Sequence, residues 1–149
     1  MNNLNREELM LAKLDQVMRQ LRRRPAGKQH LGRGVYRIIS QVKQKDEIST
    51  RELADALGMR PSSLNEKLSR LEQEKIILRE RNPMDQRMFL VKLLPAGEDL
   101  LEEMRLERKK MNKSISTILT DEEMEMLTAL ADKLAGGLSN ISQGETECQ

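Results

Sequence analysis

A mainly α fold with a small β element (α+β) is predicted by three observations. Apolar residues recur at helical spacing over most of the 149 residues, capping sequences or prolines mark where successive helices open, and one stretch, 76–94, reads as two strands. Residues 49–94 hold the most informative pattern. Ser49-Thr-Arg-Glu-Leu-Ala-Asp-Ala-Leu-Gly is a short amphipathic helix closed by glycine, and a second helical run goes from Pro61 to Lys75. Arg79-Glu-Arg-Asn-Pro-Met-Asp-Gln-Arg-Met-Phe-Leu-Val-Lys-Leu follows as a charged hairpin. Two such helices joined by a Gly-containing turn, with a hairpin behind them, are the parts of a winged helix-turn-helix, a pattern that points to duplex DNA.

Taken in order, the first helix opens at Asn5-Arg-Glu-Glu8, which has the form of a capping box, and ends before Pro25-Ala-Gly27. Leu11, Leu14, Met18 and Leu21, with Met10 and Val17 beside them, give it an apolar stripe wider than a small domain needs. A polar, Gly-rich connector covers 27–34, and a helix over about Val35 to Gln44 presents Val35, Ile38, Ile39 and Val42 on one face. Ser49 to Glu52 is a second capping box, so the third helix begins there, buries Leu53, Ala54 and Leu57, and stops at Gly58. Pro61 suits the first position of the fourth helix, where a missing N–H costs nothing. Strands are expected over Ile76 to Arg81 and Met88 to Leu94, with residues 82–87 as the connecting turn. A long helix then runs from Pro95 to about Leu119, and Thr120-Asp-Glu-Glu123 caps a last one. That helix carries Met124, Leu127, Leu130, Ala131, Leu134 and Leu138 and gives way to a flexible polar tail after Ser139.

The expected organisation is therefore an N-terminal dimerisation helix and connector (1–34), a winged helix-turn-helix DNA-binding domain (35–94), C-terminal dimerisation helices (95–139) and a flexible tail (140–149). Pairing in a two-fold homodimer is the simplest way to bury the outer stripes, which a monomer would leave as an exposed apolar patch.

Composition narrows the function. About a third of the residues are charged and no apolar run approaches the roughly 20 residues of a membrane-spanning helix, so a soluble chain with no membrane partner is expected. The opening Met-Asn-Asn-Leu-Asn-Arg-Glu-Glu lacks a signal-peptide core, and Cys148 is the single cysteine, which fits a cytoplasmic protein. Tyr36 and Phe89 are the sole aromatics, too few for a platform that stacks single-stranded bases. Charge is unevenly spread: residues 16–45 hold nine basic and no acidic side chains, whereas 95–149 hold six basic and twelve acidic. The block from Arg19 through Arg22-Arg23-Arg24, Lys28, Arg33 and Arg37 to Lys45 would attract phosphate, or equally would offset the acidic C-terminal third.

With Leu64, Leu68 and Leu71 turned inward, a 100° step per residue puts Ser62, Glu66, Ser69, Arg70 and Gln73 on the outer face of the fourth helix, flanked by Ser63 and Asn65. These are short or hydrogen-bonding side chains, as a helix entering a groove about 12 Å wide requires. Major-groove readout is assigned to Ser62, Ser63, Asn65, Glu66, Ser69 and Arg70, and phosphate contact to Arg60 with the basic block.

The chain resembles the MarR-type (multiple-antibiotic-resistance) winged-helix repressors over about Val35 to Glu103. The resemblance rests on Glu52-Leu-Ala54, Leu71-Glu72, Arg79, Asp85-Gln-Arg87 and Leu93 to Gly97, taken in that order and spacing. It implies homodimers on pseudo-palindromic operators, the fourth helix in the major groove, the wing in the neighbouring minor groove, and a small-molecule effector site between the DNA-binding lobe and the dimer helices. By the same resemblance Arg87 is the wing arginine that enters the minor groove and Asp85 the carboxylate that holds it. A narrow minor groove has an enhanced negative potential that favours arginine, and a carboxylate fixes the guanidinium fork.

Two residues depart from the family pattern. Lys75 stands where glycine is usual, and because a non-Gly residue held left-handed costs on the order of 1 kcal/mol, the fourth helix is expected to end differently here. Leu94 replaces the usual threonine before the long helix, which removes a side-chain cap and leaves Pro95 as partial compensation.

Other residues have plainer readings. His30 has no second ligand nearby and is read as a solvated or phosphate-near imidazole, with no metal site expected. Cys148 lies beside Glu147 in a polar tail and is read as an unreactive thiol. Gly32-Arg-Gly34 follows no strand and lacks a third glycine, so no dinucleotide cofactor is expected. Met104, Met111, Met124 and Met126 are read as core or dimer packing, and Asp121, Glu122, Glu123 and Glu125 as residues that favour a helix N-terminus. An enzyme is disfavoured, since no nucleophile sits with a base or clustered acids. The alternative is a winged-helix protein-interaction module without operator binding.

Overall fold

A computed structural model of the chain describes residues 5–22, 29–32 and 34–146. Among them are six α-helices, a short 3₁₀ turn and one three-stranded antiparallel sheet, in two compact units, Met1–Arg108 and Lys109–Gln149. Arg23, Arg24, Lys28 and Arg33 of the basic block, and Cys148, lie outside the described residues.

Helix α1 (Arg6–Leu21) opens on the expected reciprocal cap: the Glu8 N–H donates to Asn5 Oδ1 at 2.8 Å, and the Asn5 N–H to Glu8 Oε2 at 3.2 Å. None of its residues is buried. The 3₁₀ turn Gln29–Leu31 sends Leu31 into the core, and α2 (Val35–Lys45) buries Val35, Ile38, Ile39 and Val42. The chain reverses at Asp46 (φ 57°), where the Glu47 N–H donates to the Lys45 carbonyl at 2.6 Å, a three-residue γ-turn.

That reversal feeds a strand the sequence reading did not anticipate, β1 (Ile48–Ser49). Two residues are too few to display alternation. Ser49 is buried and serves twice: it pairs with Leu90 in the sheet, and its Oγ accepts the Glu52 N–H at 3.1 Å to cap α3 (Thr50–Leu57). Its own N–H donates to Glu52 Oε2 at 3.0 Å, and this bond, followed by the Ser49 hydroxyl, holds the Glu52 carboxyl below its ordinary pKa. Helix α3 ends at Gly58 (φ 61°) with Gly58 N–H to Asp55 O at 3.2 Å and Met59 N–H to Ala54 O at 3.0 Å.

Helix α4 (Pro61–Gln73) begins on its proline and buries Leu64, Leu68 and Leu71. The expectation of a different helix end is overturned. Lys75 takes φ 56°, its N–H donates to Glu72 O at 3.0 Å, and the Ile76 N–H reaches Leu71 O at 2.9 Å, the pair of bonds that glycine usually supports. Leu71 and Ile76 are both buried, so their contact across the turn offsets the strain of a left-handed lysine.

Strands β2 (Ile77–Asn82) and β3 (Asp85–Leu93) form a hairpin in a sheet of order β1-β3-β2. Pairing starts at Asn82 and Asp85, across a bulge at Arg81/Asn82, so the connection is only Pro83 and Met84 and not residues 82–87. Polar side chains hide the strand in the sequence and close the turn in the structure: Asn82 Oδ1 accepts the Met84 N–H at 2.9 Å, and Asp85 Oδ1 the Arg87 N–H at 3.0 Å.

Helix α5 (Pro95–Ile118) starts against the wing base, with the Leu94 N–H donating to the Ile76 carbonyl at 3.0 Å. Gly97 is required there, since a Cβ would sit 2.2 Å from that same carbonyl oxygen. Helix α6 (Asp121–Thr146) runs on past Ser139, where a polar tail was expected to begin. Its serines lie within the helix, with the hydroxyls of Ser139 and Ser142 donating back to the carbonyls of Ala135 and Leu138 at 3.0 and 3.1 Å.

The core lies among α2, α3, α4, the wing base and the start of α5, with Ile39, Leu53, Leu68, Ile77 and Val91 fully buried. Each such side chain contributes roughly 1.5–3 kcal/mol, which makes this region the rigid support of whatever its surface carries. Met104 packs on the core as expected, Met111 and Met124 are half-buried, and Met126 is exposed.

Candidate nucleic-acid interface

With its three leucines turned inward, α4 leaves Arg60, Ser62, Ser63, Asn65, Glu66 and Arg70 exposed. Its first turn has no carboxylate and no side-chain cap, so the N–H groups and positive end of the helix dipole are open to an anion. Glu66 and Arg70, one turn apart, meet at 3.1 Å in an exposed pair. Ser69 differs from its expected place: it is half-buried, and its Oγ accepts from Arg79 Nη2 at 3.2 Å. That hydroxyl is used inside the protein.

On the wing, Arg87 and Asp85 are both exposed. Asp85 Oδ1 accepts the Arg87 backbone N–H at 3.0 Å, a contact with main chain and not the grip on the guanidinium that the resemblance implied. The carboxylate is positioned by the turn it closes, which leaves the Arg87 side chain to project from the strand. Arg81 stiffens the hairpin from within, donating to the Gln86 carbonyl at 3.0 Å and lying over the Phe89 ring, 5.3 Å from its centre. At the tip, Met84 is 93% exposed.

The residues joining helix to wing carry part of the family resemblance, but their sequence alone assigns them no task. Arg79 of β2 binds Glu72 of α4 by three bonds: Nε to Oε2 at 3.0 Å, Nη2 to Oε2 at 2.7 Å, and its backbone N–H to Oε1 at 3.2 Å. The side chains are 22% and 35% exposed, far less than the Glu66–Arg70 pair. Their type and seven-residue separation were visible in the sequence, but not the helix–strand packing that brings them together. On the other side of the hairpin Lys92 Nζ lies 2.9 Å from Glu47 and 3.1 Å from Glu80, and these carboxylates, Glu47 first, raise its pKa.

The described part of the basic block is largely occupied within the protein. Arg19 pairs with Asp15, Arg37 Nη2 donates to the Leu57 carbonyl at 3.3 Å, and Lys43 Nζ meets Glu98 at 2.8 Å. His30 is placed near a carboxylate, with Nε2 3.3 Å from Glu74 Oε1 beside the end of α4. A shallow depression bordered by Lys43, Asp46, Glu47, Lys92 and Glu98 holds both lysines in those ion pairs. Among the described residues no three His, Cys, Asp or Glu side chains are grouped to hold a metal, and no helix is long and apolar enough to cross a membrane.

This arrangement of helices, turn and hairpin defines a winged helix-turn-helix. The MarR family profile matches residues 33–89. The chain is 31% identical over 100 residues to the transcriptional regulator FarR of Neisseria gonorrhoeae, covering 67% of this chain and 68% of that protein. It is 29% identical over 98 residues to the transcriptional repressor MdtR of Bacillus subtilis, covering 66% of this chain and 63% of MdtR, just under two thirds of that relative's length. The chain belongs to the MarR family. Its fold matches PcaV of Streptomyces coelicolor with a TM-score of 0.75 (17% identity, 91% of this chain and 99% of that one), a protein also solved with its natural ligand. It likewise matches S. aureus MepR in complex with DNA, with a TM-score of 0.71 (20% identity, 89% and 97% covered).

Proposed function

We propose that this chain is a dimeric, sequence-specific regulator of transcription in the cytoplasm, a repressor that binds a pseudo-palindromic operator in double-stranded DNA and is released by a small-molecule effector. The observation that carries the reading is a rigidly supported helix whose outer face holds only short or hydrogen-bonding side chains, joined to a hairpin with an exposed arginine. In this reading Ser62, Ser63, Asn65, Glu66 and Arg70 meet base edges in the major groove, and Arg60 and the open N-terminus of α4 meet phosphate. Ser69 contributes through its bond to Arg79. Arg87 enters the adjacent minor groove, with Asp85 shaping the strand that presents it. The repressor output follows the name of MdtR, and the effector follows the ligand complex of PcaV.

Selection of bound sequences from a random duplex pool tests this directly. The expected product is an inverted repeat with half-sites roughly 10 base pairs apart, bound with an affinity that falls steeply with salt. On that duplex Arg87→Ala is expected to cost roughly 1–3 kcal/mol of binding and to lower the salt slope by about one, with the folded dimer intact. Recovery of no duplex would leave a protein-interaction module in its place. An unchanged dissociation constant at fixed salt would remove Arg87 from the interface.

A further inference from the structure

We propose that Glu72 and Arg79 act as a positioning pair that aims the wing, so that Arg87 reaches its groove only while the pair is formed; this rests on the DNA-binding reading above. Arg79 lies near the hairpin base, opposite Val91, whereas Arg87 lies toward its tip. A small rotation at the base becomes a larger displacement at the tip. The pair restrains that rotation on the α4 side: Glu72 takes the guanidinium at one oxygen and the Arg79 backbone N–H at the other, and Ser69 takes a further bond from Nη2. Because the carboxylate grips main chain as well as side chain, it fixes the strand itself relative to the helix. Among the described residues, the ion pairs on the opposite face of the hairpin are those of Lys92 with Glu47 and Glu80. Exposed ion pairs of that kind define geometry weakly, so the half-buried fork sets the angle.

The sign of the effect separates this role from simple electrostatics. Glu72 is a negative charge on the helix proposed to enter the groove, and removing it would by charge alone strengthen binding to phosphate. A positioning role requires the reverse. The fork has a second consequence for Ser69, whose half-buried hydroxyl belongs to the aiming device and not to base readout.

The test is a double-mutant cycle in the full chain, with the duplex recovered by random-pool selection as probe. Glu72→Gln is expected to weaken binding roughly tenfold, the scale of hydrogen bonds to a charged group, and to lower the salt slope by about one although no cation is lost. In the Glu72→Gln background, Arg87→Ala is expected to have little further effect. Arg79→Lys, which keeps the charge but not the fork, should resemble Glu72→Gln. Additive effects of the two substitutions, or tighter binding by Glu72→Gln, would overturn the proposal. If Glu72→Gln does not fold, Ser69→Ala takes its place in the same cycle, where a smaller coupling with Arg87→Ala supports the pair and strict additivity overturns it. A wild-type chain that selects no duplex would overturn the functional reading together with this one, whereas a chain that binds its duplex but gives additive effects would overturn the positioning pair alone.

Discussion

Lys75 and Gly97 are the two positions where a single residue's backbone requirements set the local architecture. Lys75 holds a left-handed conformation in a turn that its neighbours stabilise through Leu71 and Ile76. Replacing it with glycine removes the clash of a side chain at positive φ, and the added freedom of the unfolded chain offsets only part of that gain. Lys75→Gly is therefore expected to raise stability by up to about 1 kcal/mol, read as a higher midpoint in urea with an unchanged slope. Gly97 works in the other direction. Any Cβ there meets the Ile76 carbonyl, a backbone atom that also accepts the Leu94 N–H and has no flexible side chain to move aside. Gly97→Ala is expected to destabilise the winged domain by about 1–3 kcal/mol, measurable in the same titration, even though alanine is the better helix former. A neutral result would mean that α5 can pull away from the wing base at no cost.

Among elements, the capped helices were the most legible. Asn5 with Glu8 and Ser49 with Glu52 form the reciprocal bonds their spacing announces, and Pro61 and Pro95 open helices as expected. These signals are local, each involving groups within one turn, and so a linear reading can find them. The hairpin was less legible. Asp85, Gln86 and Arg87 look like turn residues, but they belong to β3 because Asn82 and Asp85 satisfy the N–H groups that a longer loop would have left to water. Strand β1 was invisible because its reason for existing is the edge of β3, where Ile48 pairs with Val91 and Ser49 with Leu90, far along the chain. The candidate site divides the same way. The exposed polar face of α4 follows from a helical period and three leucines, whereas the withdrawal of Ser69, the Asp85 contact with backbone and the Glu72–Arg79 fork all depend on β2 and β3 being packed where they are.

For the molecule as a whole, the outstanding feature is apolar surface that the single chain leaves uncovered. Leu11, Leu14, Val17 and Met18 on α1, and Met126, Leu127, Leu130, Leu134, Leu138 and Ile141 on α6, are exposed at helical spacing. Each of these two stripes, taken by itself, is wider than scattered surface leucines account for, and the proposed homodimer is the arrangement expected to bury them. Leu130→Glu combined with Leu134→Glu is expected to shift the protein from dimer to monomer in sedimentation and to weaken binding to an inverted repeat far more than to a single half-site. A monomeric wild-type chain, or a double variant that still dimerises, would place the pairing surface elsewhere.

Composition, helical periods and caps determined on their own that this protein is a mostly helical chain with a winged module and an outward polar helix face, because all of these are encoded by residues near one another in sequence. What only the tertiary structure decided are the features made by segments apart in the chain: the β1 edge strand, the close approach of Gly97 to Ile76, and the fork from Arg79 to Glu72 and Ser69. Each is a meeting of segments whose energies appear only once the core has brought them within bonding distance, and no local period records that.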